Sequence, residues 1–283
     1  MRTYHDCLPC FMKQTLSVLE MIDVDDITRE KTLRSVLQQL STIDLHLSPP
    51  AMARKIHRII REICNNPDPF YNEKQRYQKL AIRLLPQIEQ DVLLAEDPLR
   101  AAVQMAIAGN SIDHGVYHDM TEAQALTSIE QGLQTPLLGN VEEFSAAIAG
   151  AQSILYLGDN SGEIVLDKLL LKQLPMKKTT FVVRGGPILN DALWADAEQA
   201  GITELVHVID NGDNTPGTLL EHCSAEFREM FRQADLIIAK GQGNYETLSD
   251  VPGNIFFLLK AKCPVIARHI GCELGSALLF RRP

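Results

Sequence analysis

The feature that most constrains this chain is a change of pattern near residue 150. From there on, short apolar runs alternate with segments long enough to form helices. The runs that we predict as strands are residues 153–157, 179–183, 205–209, 235–239, 255–259 and 264–267. Strands separated by helices form βαβ units, which build a parallel sheet covered on both faces. The second part of the chain is therefore predicted to be a doubly wound α/β domain.

The first part of the chain has a helical pattern instead. Ser48 stands before two prolines, which is typical of a helix start, and isoleucines follow it at helical spacing. Further helices are predicted over residues 71–94, 98–109, 121–132 and 141–150, and no segment between them alternates like a strand. We therefore divide the chain into an α-helical domain, residues 1–148, and an α/β domain, residues 149–283.

Charge and hydropathy exclude several classes of function. The formal net charge of −9 repels a nucleic acid backbone, and the chain has no long basic run. No apolar stretch approaches the length that spans a membrane, and the N-terminal residues lack the apolar core of a signal peptide. We expect a cytoplasmic protein that binds neither nucleic acid nor membrane. The oligomeric state stays open.

Polar residues concentrate where each predicted strand ends. Four glycine-rich loops there carry carboxylates, amides or a cation: GDNSGE (158–163), RGGPILND (184–191), DNGDN (210–214) and KGQGN (240–244). In an open parallel sheet the carboxyl ends of the strands share one edge, and ligands bind in the crevice at that edge. We therefore predict a functional site there.

The side chains of these loops indicate chemistry on phosphate. Asp159, Asn160 and Asp191 are hard oxygen donors that suit Mg²⁺ or Mn²⁺, with Co²⁺ and Ni²⁺ as further candidates. Lys240 opens a glycine-rich loop that we predict to enter a helix, where backbone N–H groups attract anions. A divalent ion opposite an anion-binding loop is the equipment of phosphoryl transfer or hydrolysis.

Each of these residues also has a simpler interpretation. Asp159 and Asn160 fit a turn with a helix cap, and Asp191 fits the first turn of a helix. Lys240 would suit a solvent-exposed loop, and Arg184 a surface ion pair. The convergence of all four loops on one sheet edge favours the functional interpretation.

One motif of the helical part is ambiguous by itself. Residues 109–113, GNSID, follow a predicted helix, and their spacing favours a Schellman C-cap at Gly109. Asn110 and Asp113 are nevertheless polar groups at the end of an element, where a lid can reach over a neighbouring site.

The cysteines raise a separate question. Without an export signal we expect all six thiols to be reduced, and we predict that Cys7 and Cys10 are buried as small hydrophobes. The alternatives are a redox pair, or a metal site completed by Cys272, His269 or His5.

Taken together, these motifs resemble the DUF89 family, the damage-control phosphatases, and specifically its microbial branch with an N-terminal cysteine pair. The resemblance covers nearly the whole chain and runs through CLPC (7–10), AGNSID (108–113), GDNSGE (158–163), RGGPILND (184–191), KGQGNYET (240–247) and FFLLKAKCPVIA (256–267). It implies an α-helical domain followed by a Rossmann-like α/β/α domain. It also implies metal-dependent hydrolysis of phosphomonoesters of small metabolites, either sugar phosphates or damaged phosphometabolites.

The resemblance further implies roles for individual residues. The metal ligands would be Asp159, Asn160 and Asp191, and the phosphate-binding lysine would be Lys240. It places Asn110 and Asp113 at the mouth of the same site, against the C-cap interpretation.

Further substrate contacts are predicted from the same loops. We expect phosphate oxygens to be held by the loop that begins at Lys240, and Arg184 to contribute as well. The members of that loop are Gly241, Gly243 and Asn244. The nucleophile is either a water molecule, which we favour, or Asp159 through a phosphoenzyme.

Three other functions compete with the phosphatase prediction. LYLGDNSGE also fits the cofactor loop of a methyltransferase that uses S-adenosylmethionine, although the next predicted strand ends in Arg184 where that cofactor calls for an acid. Dinucleotide binding ranks lower because no GxGxxG follows the first predicted strand. A protein that binds a phosphometabolite without cleaving it would use the same loops. The natural substrate and the physiological metal stay open.

Overall fold

The structure, a computed structural model, describes residues 1–111 and 122–282. Within these residues the chain forms twelve α-helices and one seven-stranded, mostly parallel sheet, which confirms the α/β fold class. Asp113 lies outside the described residues.

The first part of the chain is mainly helical. Its helices are α1 (Cys7–Met21), α2 (Asp26–Ser41), α3 (Pro49–Ile63), α4 (Tyr71–Leu93), α5 (Pro98–Ala108), α6 (Glu122–Gln134) and α7 (Val141–Gly150). The side chains of Asp25, Asp97 and Asn140 each accept a hydrogen bond from a backbone N–H of the helix that follows them. The four helices predicted from residue 71 onward are confirmed to within two residues at each end.

The strands and the remaining helices alternate after α6. The strands are β1 (Leu137–Gly139), β2 (Ile154–Leu157), β3 (Thr179–Val183), β4 (His207–Asp210), β5 (Leu236–Lys240), β6 (Ile255–Lys260) and β7 (Ala277–Arg281). The helices are α8 (Glu163–Leu171), α9 (Trp194–Gln199), α10 (Ala225–Gln233), α11 (Gly241–Leu248) and α12 (Pro264–Ile270).

Two predictions about elements are wrong. Residues 264–267, predicted as a strand, are the first turn of α12, where Pro264 occupies the start of the helix. The helical part does contain a strand, β1, which is only three residues long and pairs with β7. β1 is defined by its pairing with β7, and β7 by its pairing with β6 and β1, so the local pattern of neither strand revealed it.

The order of the strands locates the crevice. The sheet runs β1-β7-β6-β5-β2-β3-β4, and the five strands from β6 to β4 are mutually parallel. The chain moves outward from β2 through β3 to β4, then returns to β5 and moves outward the other way. The loops after β2 and β5 therefore diverge and leave a crevice between them at the carboxyl edge.

Apolar side chains cover both faces of the sheet. Along β2, Ile154 and Tyr156 belong to one core cluster, while Leu155 and Leu157 belong to a second cluster on the opposite face. The first cluster also contains residues of α4, α5 and α7, so these helices pack against the sheet. A third cluster joins α1, α2 and α3. The division of the chain at residues 148 and 149 stays a prediction.

Among residues 1–111 and 122–282, no helix has the length and hydropathy needed to span a membrane. The cytoplasmic location stays a prediction.

Candidate functional site

The three predicted metal ligands meet on two adjoining loops. Asp159 and Asn160 follow β2 directly, and both are buried. Asn160 forms a β-bridge with Asp191, and the backbone N–H of Ala192 donates to the Asp159 carbonyl oxygen at 2.8 Å. The backbone N–H of Ser161 donates to the carbonyl oxygen of Asn190 at 2.9 Å. These main-chain bonds hold the loop after β2 against the loop after β3.

Two amides and two carboxylates surround Asp159. Nδ2 of Asn160 donates to Asp159 Oδ2 at 3.1 Å and to Glu163 Oε2 at 3.0 Å. Nδ2 of Asn110 donates to the same two oxygens. Because Asp159 Oδ2 and Glu163 Oε2 accept hydrogen bonds from Asn160, the NH₂ group of Asn160 faces them and its Oδ1 points away. An amide held in this way presents its oxygen as a metal ligand.

The charges of this cluster suit a divalent cation. Burial and the nearby carboxylates of Glu163 and Asp191 raise the pKa of Asp159 well above its usual range, and Arg184 opposes the shift. Two carboxylates and an amide are hard oxygen donors, so the set fits Mg²⁺ or Mn²⁺ better than zinc. In the part of the chain that the structure describes, no three His, Cys, Asp or Glu side chains come together as a metal-binding group.

Lys240 lies beneath this cluster, at the end of β5. It is fully buried, and its Nζ donates to Glu163 Oε1 at 2.6 Å, to Asp167 Oδ1 at 2.5 Å and to the Ala106 carbonyl oxygen at 2.7 Å. An ammonium group has three protons, and these three acceptors use all of them. The side chain is therefore directed at the carboxylates of α8, whereas the sequence predicted that it faces a phosphate or solvent.

Arg184 is also buried, at 2% exposure, and its Nε donates to Asp191 Oδ2 at 2.7 Å. The alternative of a surface ion pair is wrong, because both partners are buried.

The glycine-rich loop after β5 enters α11 at Gly241, as predicted. Asn244 is fully buried, and its Nδ2 donates to the carbonyl oxygens of Lys240 at 2.7 Å and of Gly158 at 3.3 Å. Gly243 packs against Gly217, because a β-carbon built at residue 243 would lie only 3.1 Å from the nitrogen of Gly217. These contacts hold the start of α11 against the loops after β2 and β4.

Asn110 reaches the cluster from the end of α5. Gly109 has φ −51°, in the right-handed region, so the interpretation as a Schellman C-cap is wrong. A β-carbon at Gly109 would lie 3.3 Å from Glu163 Cγ and 3.3 Å from Leu166 Cδ1. Glycine stands there because α5 and α8 approach closely, and this approach brings Asn110 to Asp159.

Two residues of the site were not predicted as site residues from the sequence. Glu163, in the first turn of α8, contacts Asn110, Asn160 and Lys240. Its signal in the sequence was an acid at the end of the GDNSGE loop, four residues after Asp159. Lys74 of α4 lines a small cavity beside Asn160 and Glu163, and it pairs with Asp68 at 2.8 Å. Nothing in the local pattern of α4 indicates that Lys74 faces this edge of the sheet.

The cysteine pair opens α1. Cys7 is half-buried and Cys10 is exposed, so the prediction that both are buried is wrong. All six cysteines are free. Burial is the main cause that raises the pKa of the half-buried Cys7 thiol.

Comparison with known proteins relates this geometry to one family. Residues 3–278 match the family model described as the damage-control phosphatase ARMT1-like domain. A damage-control phosphatase of Pyrococcus horikoshii is 32% identical over 287 residues, which cover 99% of this chain and 98% of that protein. One of Archaeoglobus fulgidus is 34% identical over 281 residues, which cover 95% and 96%. The crystal structure of a DUF89 family protein from Pyrococcus horikoshii superposes with a TM-score of 0.92 at 31% identity and covers all of both chains.

Proposed function

Because the chain belongs to the damage-control phosphatase family with the ARMT1-like domain, we propose that it hydrolyses phosphomonoesters of small metabolites with a divalent metal ion bound at Asp159, Asn160 and Asp191. The observation that carries this proposal is the meeting of these three oxygen donors beside the crevice between β2 and β5. Their chemistry suits Mg²⁺ or Mn²⁺. Sugar phosphates or damaged phosphometabolites are the substrates that we propose.

When bound, such an ion supplies Lewis-acid chemistry, drawing charge from a phosphate oxygen and lowering the pKa of water. The residues of the chain prepare the site for it. Asn110 donates to Asp159, and Glu163 accepts from Asn160, so these two residues orient two of the candidate ligands. Bonds from Asn110 to Glu163 and from Asn160 to Asp159 complete a ring of four hydrogen bonds. Lys240 places a buried positive charge 2.6 Å from Oε1 of Glu163, in a region shielded from water.

We favour water as the nucleophile over Asp159. Oδ2 of Asp159 accepts hydrogen bonds from two amides and lies against Gly241. A carboxylate held by these contacts suits the role of a fixed metal ligand. A nucleophile, in contrast, must move toward phosphorus as the new oxygen–phosphorus bond forms. The backbone N–H groups at the start of α11 remain our proposal for binding phosphate oxygens. Asn110 and Asp113 remain our proposal for the mouth of the site.

The fold offers a consistent frame for this chemistry. We infer that the α/β part is Rossmann-like, since its parallel strands follow the order β4-β3-β2-β5-β6 with the crossover at β2 and β5. Ligands of such open α/β sheets bind at the carboxyl edge of the strands, where the candidate metal ligands lie.

The test is phosphate release by protein stripped with a chelator. Mg²⁺, Mn²⁺, Co²⁺ and Ni²⁺ are restored one at a time, with p-nitrophenyl phosphate and a panel of sugar phosphates as substrates. We expect release that depends on metal and is lost in Asp159→Asn. Binding of phosphate esters without release under any metal would instead support a protein that binds but does not cleave. The relatives named above are phosphatases, which favours hydrolysis over methyl transfer.

A further inference from the structure

We propose that Arg184 is a positioning residue, which fixes the carboxylate of Asp191 for metal binding by tying together the loops that follow β2, β3, β4 and β5. This inference rests on the proposed metal site and adds a residue outside its ligand set. It replaces the direct contact with substrate that the sequence predicted for Arg184.

The contact with Asp191 is the strongest part of the arrangement. Nε of Arg184 donates to Asp191 Oδ2 at 2.7 Å, and the two side chains are 1% and 4% exposed. A charge-assisted hydrogen bond so far from water is short and directional. The main chain adds a second tie, because the N–H of Arg184 donates to the carbonyl oxygen of Ala192 at 2.9 Å. Arg184 thus holds both Asp191 and the residue that follows it.

The other guanidinium nitrogens reach the three remaining loops. Nη1 is 3.3 Å from Thr218 Oγ1, in the segment after β4. Nη2 is 3.4 Å from Asn244 Oδ1, in α11 after β5, and 3.4 Å from the carbonyl oxygen of Gly158, after β2. Thr218 Oγ1 also donates to Asn244 Oδ1 at 2.8 Å, so the anchors are bonded to each other. Each long contact is weak, but together they set the plane of the guanidinium group.

The planar shape of the group is what this role requires. Arginine presents its donors in a rigid fork, whereas lysine is a point charge on a flexible stem. With its plane held by three anchors, Nε faces one direction, and the Asp191 carboxylate that accepts from it is oriented too. Only 1% of the Arg184 side chain is exposed, which leaves almost no surface from which it could contact a substrate.

The experiment measures Mn²⁺ affinity by titration calorimetry on chelator-stripped protein without substrate, together with kcat and KM for p-nitrophenyl phosphate. Arg184→Lys keeps the charge and removes the fork. We expect it to raise the Kd for Mn²⁺ about 10- to 100-fold, the range typical of residues that orient metal ligands. We also expect kcat at limiting Mn²⁺ to fall as the affinity for Mn²⁺ is lost. A role confined to stability would lower the melting temperature and leave the Mn²⁺ Kd of the folded protein unchanged, which would overturn the inference.

Two further variants keep the test decisive. If Arg184→Lys raises KM for substrate but keeps wild-type Mn²⁺ affinity, then Arg184 binds substrate and the inference is overturned. If that variant does not fold, Thr218→Val removes one anchor and spares Asp191. We expect about a threefold weaker Mn²⁺ affinity in it, the size of one weak hydrogen bond, and unchanged affinity would overturn the inference. Asp191→Asn serves as the reference, because wild-type Mn²⁺ binding there would refute the proposed metal site itself.

Discussion

The carboxylate of Asp159 lies directly against the backbone of Gly241, so that a β-carbon at residue 241 would stand 1.9 Å from Asp159 Oδ2. Gly241 has φ +75°, in the left-handed region that favours glycine. These two residues follow the neighbouring strands β2 and β5, on either side of the crevice. Asp159 and Gly241 can therefore approach this closely only because residue 241 has no side chain.

The first prediction concerns this contact. We expect Gly241→Ala to displace Asp159 and to lower metal-dependent phosphate release at least about 100-fold, as loss of an oriented ligand does. Gly271→Ala is the matched control, because Gly271 has φ +84° and no atom within 4 Å of a β-carbon built there. That control should lose about 1 kcal/mol of stability from backbone strain and keep its activity. Equal activity losses in both variants would contradict the role of the contact.

The second prediction concerns the candidate ligands. Asp159→Asn and Asp191→Asn should each remove most of the activity, by at least about 100-fold in kcat, because each replaces a charged oxygen donor by a neutral amide. Asp210→Asn is the control at the same edge of the sheet, since Asp210 is exposed and its Oδ1 accepts from the backbone of Gly212. Near-wild-type turnover in both ligand variants would rule out the assignment.

The third prediction separates the two roles considered for Lys240. Lys240→Met leaves Glu163 and Asp167 buried without their counter-charge, so we expect a loss of about 3–5 kcal/mol in the free energy of unfolding. Adding Asp167→Asn should recover part of this loss, because one uncompensated charge disappears. Denaturant unfolding measures both variants. Wild-type stability combined with a raised KM for phosphate esters would show instead that the ammonium binds substrate.

The fourth prediction is a pH dependence of stability. Burial, with a smaller contribution from Arg61, lowers the pKa of His57 to about 3. The unfolded chain protonates this histidine near pH 6.5 while the folded protein does not, so stability falls as pH drops from about 6.5 toward 3. This group contributes a slope of about 1.4 kcal/mol per pH unit in that window.

His57→Phe tests this slope by urea unfolding at pH 7, 6 and 5. We expect the variant to lose the part of the pH dependence that His57 contributes. The exposed His46 is the control, and His46→Gln should keep the wild-type slope. An unchanged slope in His57→Phe would contradict the prediction.

Local pattern was enough for most elements. The amphipathic repeat of α4 and the caps before α5 and α7 lie within a few residues of the elements that they specify, so they predict bounds well. The prediction for 264–267 failed because Val265 and Ile266 favour strands, whereas Ile266 and Ala267 pack in the second core cluster as part of α12. For β1, the only signal is its partner β7, more than a hundred residues away.

The sequence by itself determined that polar loops gather at one edge of the sheet, because parallel strands carry everything that follows them to the same side. It also determined which oxygen donors are present there. Only the tertiary structure decided where each side chain points. Lys240 is directed at the carboxylates of α8, in another segment of the chain, and Arg184 at Asp191 in its own loop, because a buried charge requires an opposite charge beside it. Glu163 joins the site for the same reason, as the acceptor that two amides and an ammonium require.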